Sequence, residues 1–208
     1  MSTLLRTLAS VTLLGLTSCG HTELKPADSA LRTGIDSETV IDQAHGVTVR
    51  ANANTWTGAR QLEQEIVPVE LAILNESDRK VYFRRSDVAL VSGTRRVAAL
   101  SLDRLRDARE QEVSVGQDPS LADPEGSGDL GFYATSAPDP RPSPALQAMQ
   151  ATIAEGGIRS GTELRGFVFF GDLPRDLEQV NLQVAVREGP EPGAPVVALV
   201  NIPFVVDH

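Results

Sequence analysis

The chain of 208 residues has one cysteine, three histidines, two methionines and one tryptophan. A single cysteine excludes an intrachain disulfide. The histidines are His21, His45 and His208, and they belong to neither an H-E-x-x-H nor a G-x-S-x-G pattern. A Ser-His-Asp triad would have to use His45 as its base, and a lone histidine at a strand entrance is far more often a turn residue. Zinc needs three or four clustered Cys or His ligands, which this inventory does not supply. Sites that hold copper through methionine and histidine clusters are short of methionine here, since Met149 is the only one besides Met1. No glycine-rich phosphate loop follows a strand. Carboxylate pairs are too plentiful in so acidic a chain to single out a glycosidase-like site. The expectation is a protein that is not an enzyme, with no cofactor and no metal centre. One oxygen-rich group, Asp118, Asp123, Glu125 and Asp129 around Gly126-Ser127-Gly128, lacks the spacing of a calcium loop.

Positive charge is also scarce. Nineteen Lys and Arg face 28 Asp and Glu, a net charge of −9. Nucleic acid and anionic headgroups are poor partners for such a chain. The shortage is uneven. Residues 79–109 carry nine basic and three acidic side chains, so this stretch alone is strongly positive. It contains the pairs Arg84-Arg85 and Arg95-Arg96. Neighbours in a strand point to opposite faces, so one arginine of each pair is a candidate contact for an anion or an acidic partner. The competing expectation, and the favoured one, is that acids of the same fold neutralise them, with Asp87 and Asp103 as local candidates.

Long apolar runs are missing too. Near the start of the chain, Arg6 precedes an apolar segment over residues 7–16 that is too short to cross a bilayer core of about 30 Å. It ends in Leu16-Thr17-Ser18-Cys19. Leucine three places before the cysteine does not suit general signal cleavage, which wants small residues at −3 and −1. The four residues resemble the lipobox of bacterial lipoproteins. The resemblance implies that residues 1–18 are a signal peptide and that Cys19 is lipidated, palmitate among its acyl chains, and becomes the N-terminus. More than one chain is needed for lasting attachment, and the resemblance implies three. Gly20 in place of Asp after the cysteine implies an outer-membrane address facing the periplasm. The mature chain would have 190 residues and, without Arg6, a net charge of −10, which suits one domain.

Residues 19–44 are polar with no sustained period and read as a flexible tether. From residue 45 the pattern is of short strands: 47–51, 66–74, 81–83, 87–92 and 97–100, then 164–170, 180–186 and 196–206. Val67, Val69, Leu71 and Ile73 share one face. Pro68 and Pro203 lack an N–H and belong at a strand start, an edge or a bulge. Asn75-Glu76-Ser77-Asp78 is a turn by composition. Between about 101 and 157 lies an insertion. Ser101 is a cap for a short helix over Leu102, Leu105 and Ala108. Residues 116–144 hold six of the thirteen prolines and read as a loop excursion. Ser143 and Pro144 start a second helix, with Leu146, Met149 and Ile153 on its apolar face and Gly156-Gly157 as its stop.

The expected fold is mainly β, an antiparallel β-sandwich over 45–208. The strand 67–73 ending in Asn75-x-Ser77, the run Val88-Ala89-Leu90, and Gly161-x-x-Leu164-x-Gly166-x-Val168-x-Phe170 resemble small immunoglobulin-like domains of bacterial envelope proteins. The insertion departs from their compact pattern. The expected role is binding or scaffolding at a membrane held through the lipid on Cys19, with an envelope protein or polymer as partner and no nucleic acid. The other expectation is a periplasmic ligand-binding or hydrolytic protein built on scattered carboxylates and arginines, recognisable by a pocket with convergent polar groups.

Overall fold

The computed structural model describes residues 22–34, 37–58, 66–105 and 143–208. Its strands are β1 (Glu23–Pro26), β2 (Val40–Ala44), β3 (Val47–Asn52), β4 (Ile66–Asn75), β5 (Val81–Ser92), β6 (Arg95–Ala98), β7 (Gly156–Ile158), β8 (Thr162–Gly171), β9 (Gln179–Arg187) and β10 (Val196–Asp207). The helix α1 (Pro144–Ala151) leads into β7. The strands form two antiparallel sheets. One runs β1-β10-β9-β5-β6, with β7 paired to the start of β5; the other runs β2-β3-β4-β8. The expectation of a mainly β, sandwich-like fold holds.

Alternation builds the core. On β4 the expected face, Val67, Val69, Leu71 and Ile73, is buried to 3% exposure or less. It meets Val180, Leu182, Val184 and Val186 of β9 and Val200, Ile202 and Phe204 of β10 in one cluster. Burying large aliphatic side chains is worth about 1.5–3 kcal/mol each relative to exposure. The prolines fit their places. Pro68 lies before Glu70, where the pairing with β3 ends. Pro203 directs its carbonyl to the N–H of Ala27 at 3.2 Å, on the β1 side. Its missing N–H faces the same way, and no bond to β9 is lost.

The second half of β8 is apolar on both faces. Val168 and Phe170 enter the main core. Phe167 and Phe169 point outward into a second cluster with Ile66, Leu105 and Ala148, closed by Trp56, Leu100 and Met149. The Trp56 ring meets Phe167 and Phe169 edge-on, with centroids 5.1 and 5.3 Å away. Such geometry suits the aromatic quadrupole.

Four expectations need correction. The tether over 19–44 is overturned for its described part: β1 pairs with β10, β2 pairs with β3, and Leu24 and Val40 are fully buried. One core residue per short strand is enough to dock an edge but too few to show a period. The sandwich therefore begins at residue 23, not 45. The separate strands 81–83 and 87–92 are one strand, β5, interrupted by a register shift between Phe83 and Val88. β5 advances five residues there while β9 advances two, because polar residues 84–87 bulge out of the ladder. The helix starts as expected, with Ser143 Oγ accepting from the Leu146 N–H and Pro144 in the first turn. Its buried residues are Ala145 and Ala148, while Leu146 is half-buried. Ala148 packs in the second cluster with Phe169. Gly156-Gly157 do not stop it; they belong to β7, and the stop is Thr152. Ser101 does cap the expected short helix, described over residues 102–105, its Oγ accepting from the Arg104 N–H at 3.3 Å. Ala108, the proline-rich excursion and the acidic group at 118–129 lie outside the described residues.

The two ends of the sandwich differ. One end gathers the start of β1, the end of β10 and the start of β9, since Glu23 pairs with Asp207 and Val205 with Gln179. A cleft lined by Thr22, Glu23, Leu24, Ala53, Asn54, Trp56, Val67 and Pro68 joins this end to the second sheet. The opposite end holds the turn after β4, the start of β5 and the loop between β9 and β10.

Candidate functional site

The bulge in β5 concentrates charge. Asp87 is 9% exposed and lies between two arginines. Arg187 of β9 donates from Nε to Oδ2 at 2.7 Å and from Nη2 to Oδ1 at 2.8 Å, a two-pronged contact. Arg84 donates from Nε to Oδ2 at 3.2 Å. Both arginines then reach the β9–β10 loop: Arg187 Nη1 donates to the Ala194 carbonyl and Arg84 Nη2 to that of Pro192. The hydrogen bond from Arg187 holds the Asp87 carboxyl below the usual carboxylate range, against the opposing effect of burial. The group therefore ties the bulge, β9 and one loop together.

Arg85 turns the other way. Its backbone N–H donates to Glu155 Oε1 at 2.8 Å, and its guanidinium lies 3.5 Å from Glu155 and donates to the Ile153 carbonyl. Arg95 and Arg96 stand at the far end of β5, opposite Ser92 and Val91 across a tight turn at Gly93. Arg95 Nη1 donates to both oxygens of Asp176 at 2.6 Å, and Arg96 donates to Gln183 Oε1 at 3.0 Å. The Arg95 pair is more than half exposed on both sides and contributes little to stability. The four arginines singled out in the sequence are thus not one surface. The fold brings Arg84 and Arg85 together at the bulge, Arg95 and Arg96 at the β5–β6 turn, and keeps the two groups at opposite ends of a strand. The local partner Asp87 was legible; Arg187, 100 residues away, was not.

A second charged group lies on the outer face of the β2-β3-β4-β8 sheet. A shallow groove there is lined by Thr39, Arg50, Asn52, Glu70, Glu163 and Arg165. Arg165 Nε donates to Glu70 Oε1 at 2.7 Å, and Arg50 pairs with Glu163 across the strands. The hydrogen bond from Arg165 lowers the Glu70 carboxyl, with burial opposing. Alternation along β3, β4 and β8 puts these four side chains on one face; Arg50 and Glu70 are single charges in their strands, and the pairing of all four depends on the strand order, which the sequence does not display. Opposite charges side by side on a sheet stabilise it modestly.

Polar groups at the far end are also committed. Asn75 is fully buried. Its Nδ2 donates to the Arg79 and Ile158 carbonyls at 2.7 and 3.0 Å, and its Oδ1 accepts from the Ser77 N–H and hydroxyl. This is the Asx turn that the sequence indicates, with an added link to β7.

Among the described residues no three His, Cys, Asp or Glu side chains converge as metal ligands, and no helix is long and apolar enough to cross a membrane. Cys19 lies outside the described residues, the nearest being Thr22, whose hydroxyl is 3.3 Å from His208 Nδ1. No family model, curated protein or solved structure matches the chain.

Proposed function

We propose that this chain is a lipid-anchored envelope protein whose sandwich binds or scaffolds a partner and performs no catalysis. The anchor rests on Leu16-Thr17-Ser18-Cys19. The strand order supports an immunoglobulin-like reading: β3-β4-β8 against β10-β9-β5-β6 matches the A-B-E and G-F-C-C′ orders of that fold. The helix and β7 then stand between C′ and E, where the D strand would run.

One observation carries the binding role. β1 pairs with β10 over residues 204–207 and the Ala27 N–H reaches the Pro203 carbonyl, so residues 196–202 are laddered to β9 alone, with β2 beside them at Asn201. Val196 and Leu199 are 46% and 45% exposed along this length. An open strand edge flanked by aliphatic side chains suits docking by strand addition. Asp42 Oδ2 accepts the Asn201 N–H at 3.1 Å and blunts one position of that edge. The second reading, a ligand-binding or hydrolytic site, has its place in the groove over Arg50, Glu70, Glu163 and Arg165. Their mutual ion pairs favour a structural use of these groups over a reactive one.

Crosslinking with mass spectrometry in the native envelope tests the first reading. Wild type is expected to give a reproducible partner through the β10 edge, and Leu199→Arg to lose it while melting within a few degrees of wild type. Metabolic labelling with a palmitate analogue tests the anchor separately. Label on wild type and none on Cys19→Ser is expected; equal labelling of both removes the anchor.

A further inference from the structure

A chain anchored at Cys19 has little freedom, because the fold starts almost at once. Only Gly20, His21 and Thr22 separate Cys19 from β1, and β1 is locked into the sheet through Asp207, Val206, Val205 and Phe204. Cys19 and Thr22 are three steps apart, which spans about 10 Å when fully extended. The point where the chain leaves the sandwich is also built in, since Thr22 lines the cleft that contains Trp56.

That cleft differs from its surroundings. Leu24, Ala53, Trp56, Val67 and Pro68 supply an apolar lining, and Thr22, Glu23 and Asn54 a polar rim. Trp56 is half-buried. Its ring rests on Phe167 and Phe169, and Gly58 lies so close that a Cβ there would fall 2.1 Å from the indole. The ring is therefore held in place and not free to turn away. An amphipathic indole fixed in a half-apolar recess is the side chain that membrane interfaces favour. The charges nearby are partly neutralised, with Lys25 Nζ 2.5 Å from Asp207 and 3.6 Å from Glu23. This end therefore approaches a bilayer more readily than the chain's net charge of −9 suggests.

We infer that the end of the sandwich carrying Thr22, Glu23, Asn54 and Trp56 lies against the bilayer, with Trp56 at headgroup level, and that the opposite end and the open β10 edge are left for a partner. This rests on the lipid-anchor reading of Cys19. The occupant of the Trp56 cleft is the phospholipid headgroup layer. The short connection sets the orientation, and the cleft makes it favourable.

Trp56 is the only tryptophan, so its fluorescence reports on this end alone. The lipidated protein is reconstituted in phosphatidylethanolamine–phosphatidylglycerol vesicles containing a headgroup-spin-labelled phospholipid, and lipid on Cys19 is confirmed by mass. Quenching of Trp56 by at least half is expected. Unlipidated Cys19→Ser added to the same vesicles should show less than one-tenth of that quenching. A variant with twelve Gly/Ser residues inserted after Gly20 should lose most of it. Lipidated protein with unquenched Trp56 overturns the orientation and leaves the anchor standing. Undiminished quenching in the insertion variant overturns the role of the short connection. Absence of lipid on Cys19 overturns the anchor, and the orientation with it.

Discussion

At the scale of single residues, Asp87 shows what the bulge in β5 is for. A carboxylate at 9% exposure needs compensation, and two arginines supply it while satisfying carbonyls of the β9–β10 loop. Asp87→Asn keeps the shape and removes the charge. Hydrogen bonds to charged groups contribute about 1.5–3 kcal/mol, and the arginine side chains are about one-fifth exposed, so the expected loss at pH 7 is at the lower end of that range. The folded-state pKa of Asp87 is lowered. Its contribution is therefore complete above the unfolded value of about 3.9 and is lost as pH falls from there through the folded value. Urea titrations from pH 6 to pH 2 should show the gap between wild type and Asp87→Asn constant to about pH 4 and closing below it. A gap that stays constant throughout would mean that shape, not charge, makes the difference.

At the scale of elements, legibility followed periodicity. β4, β9 and β10 have long alternating runs, and their faces could be read directly. β8 could be read as covered on both sides because Phe167, Val168, Phe169 and Phe170 are consecutive. The helix was legible at its start, where Ser143 and Pro144 are specific signals, and not at its buried face. Its buried positions are Ala145 and Ala148, and spacing alone does not reveal how a helix sits on a sheet. At Gly166 the chain that follows the helix lies close against β8. Ile153 donates its N–H to the Phe167 carbonyl at 2.8 Å, and a Cβ on Gly166 would lie 2.7 Å from the Ile153 Cα. Backbone cannot retreat as a flexible side chain can. Gly166→Ala should therefore destabilise the domain by roughly 1–3 kcal/mol as overpacking. Chemical denaturation measures this, and hydrogen exchange should show the Ile153 amide losing protection more than amides of β9. A variant as stable as wild type, with Ile153 still protected, would mean that the segment slides aside at no cost.

At the scale of the whole molecule, the error in reading residues 19–44 has the largest consequence. Polar composition and a single buried residue per strand gave no sign that the N-terminal segment closes the sandwich. The charge pattern is more telling. The basic stretch 79–109 was expected chiefly to be neutralised from within, and Arg84, Arg85 and Arg95 do meet Asp87, Glu155 and Asp176. Those acids, except Asp87, lie so far along the chain that only the fold brings them near. The segment before residue 28 provides a decisive test. If β1 were an ornament on a tether, its removal would cost nothing. Leu24 is 1% exposed within the main core, and its burial is worth about 1.5–3 kcal/mol. Loss of β1 would also free the β10 backbone at 204–207, where the last strand would then fray. A chain from Asp28 to His208 should melt below one from Thr22 to His208 by several degrees, at roughly 2–4 °C per kcal/mol for a domain of this size. The loss should be mimicked in large part by Leu24→Ala in the longer chain, and not by Lys25→Ala, whose partners are about half exposed. Equal melting temperatures for the two chains would return residues 22–27 to the role of a tether and remove the basis for a fixed orientation at the membrane.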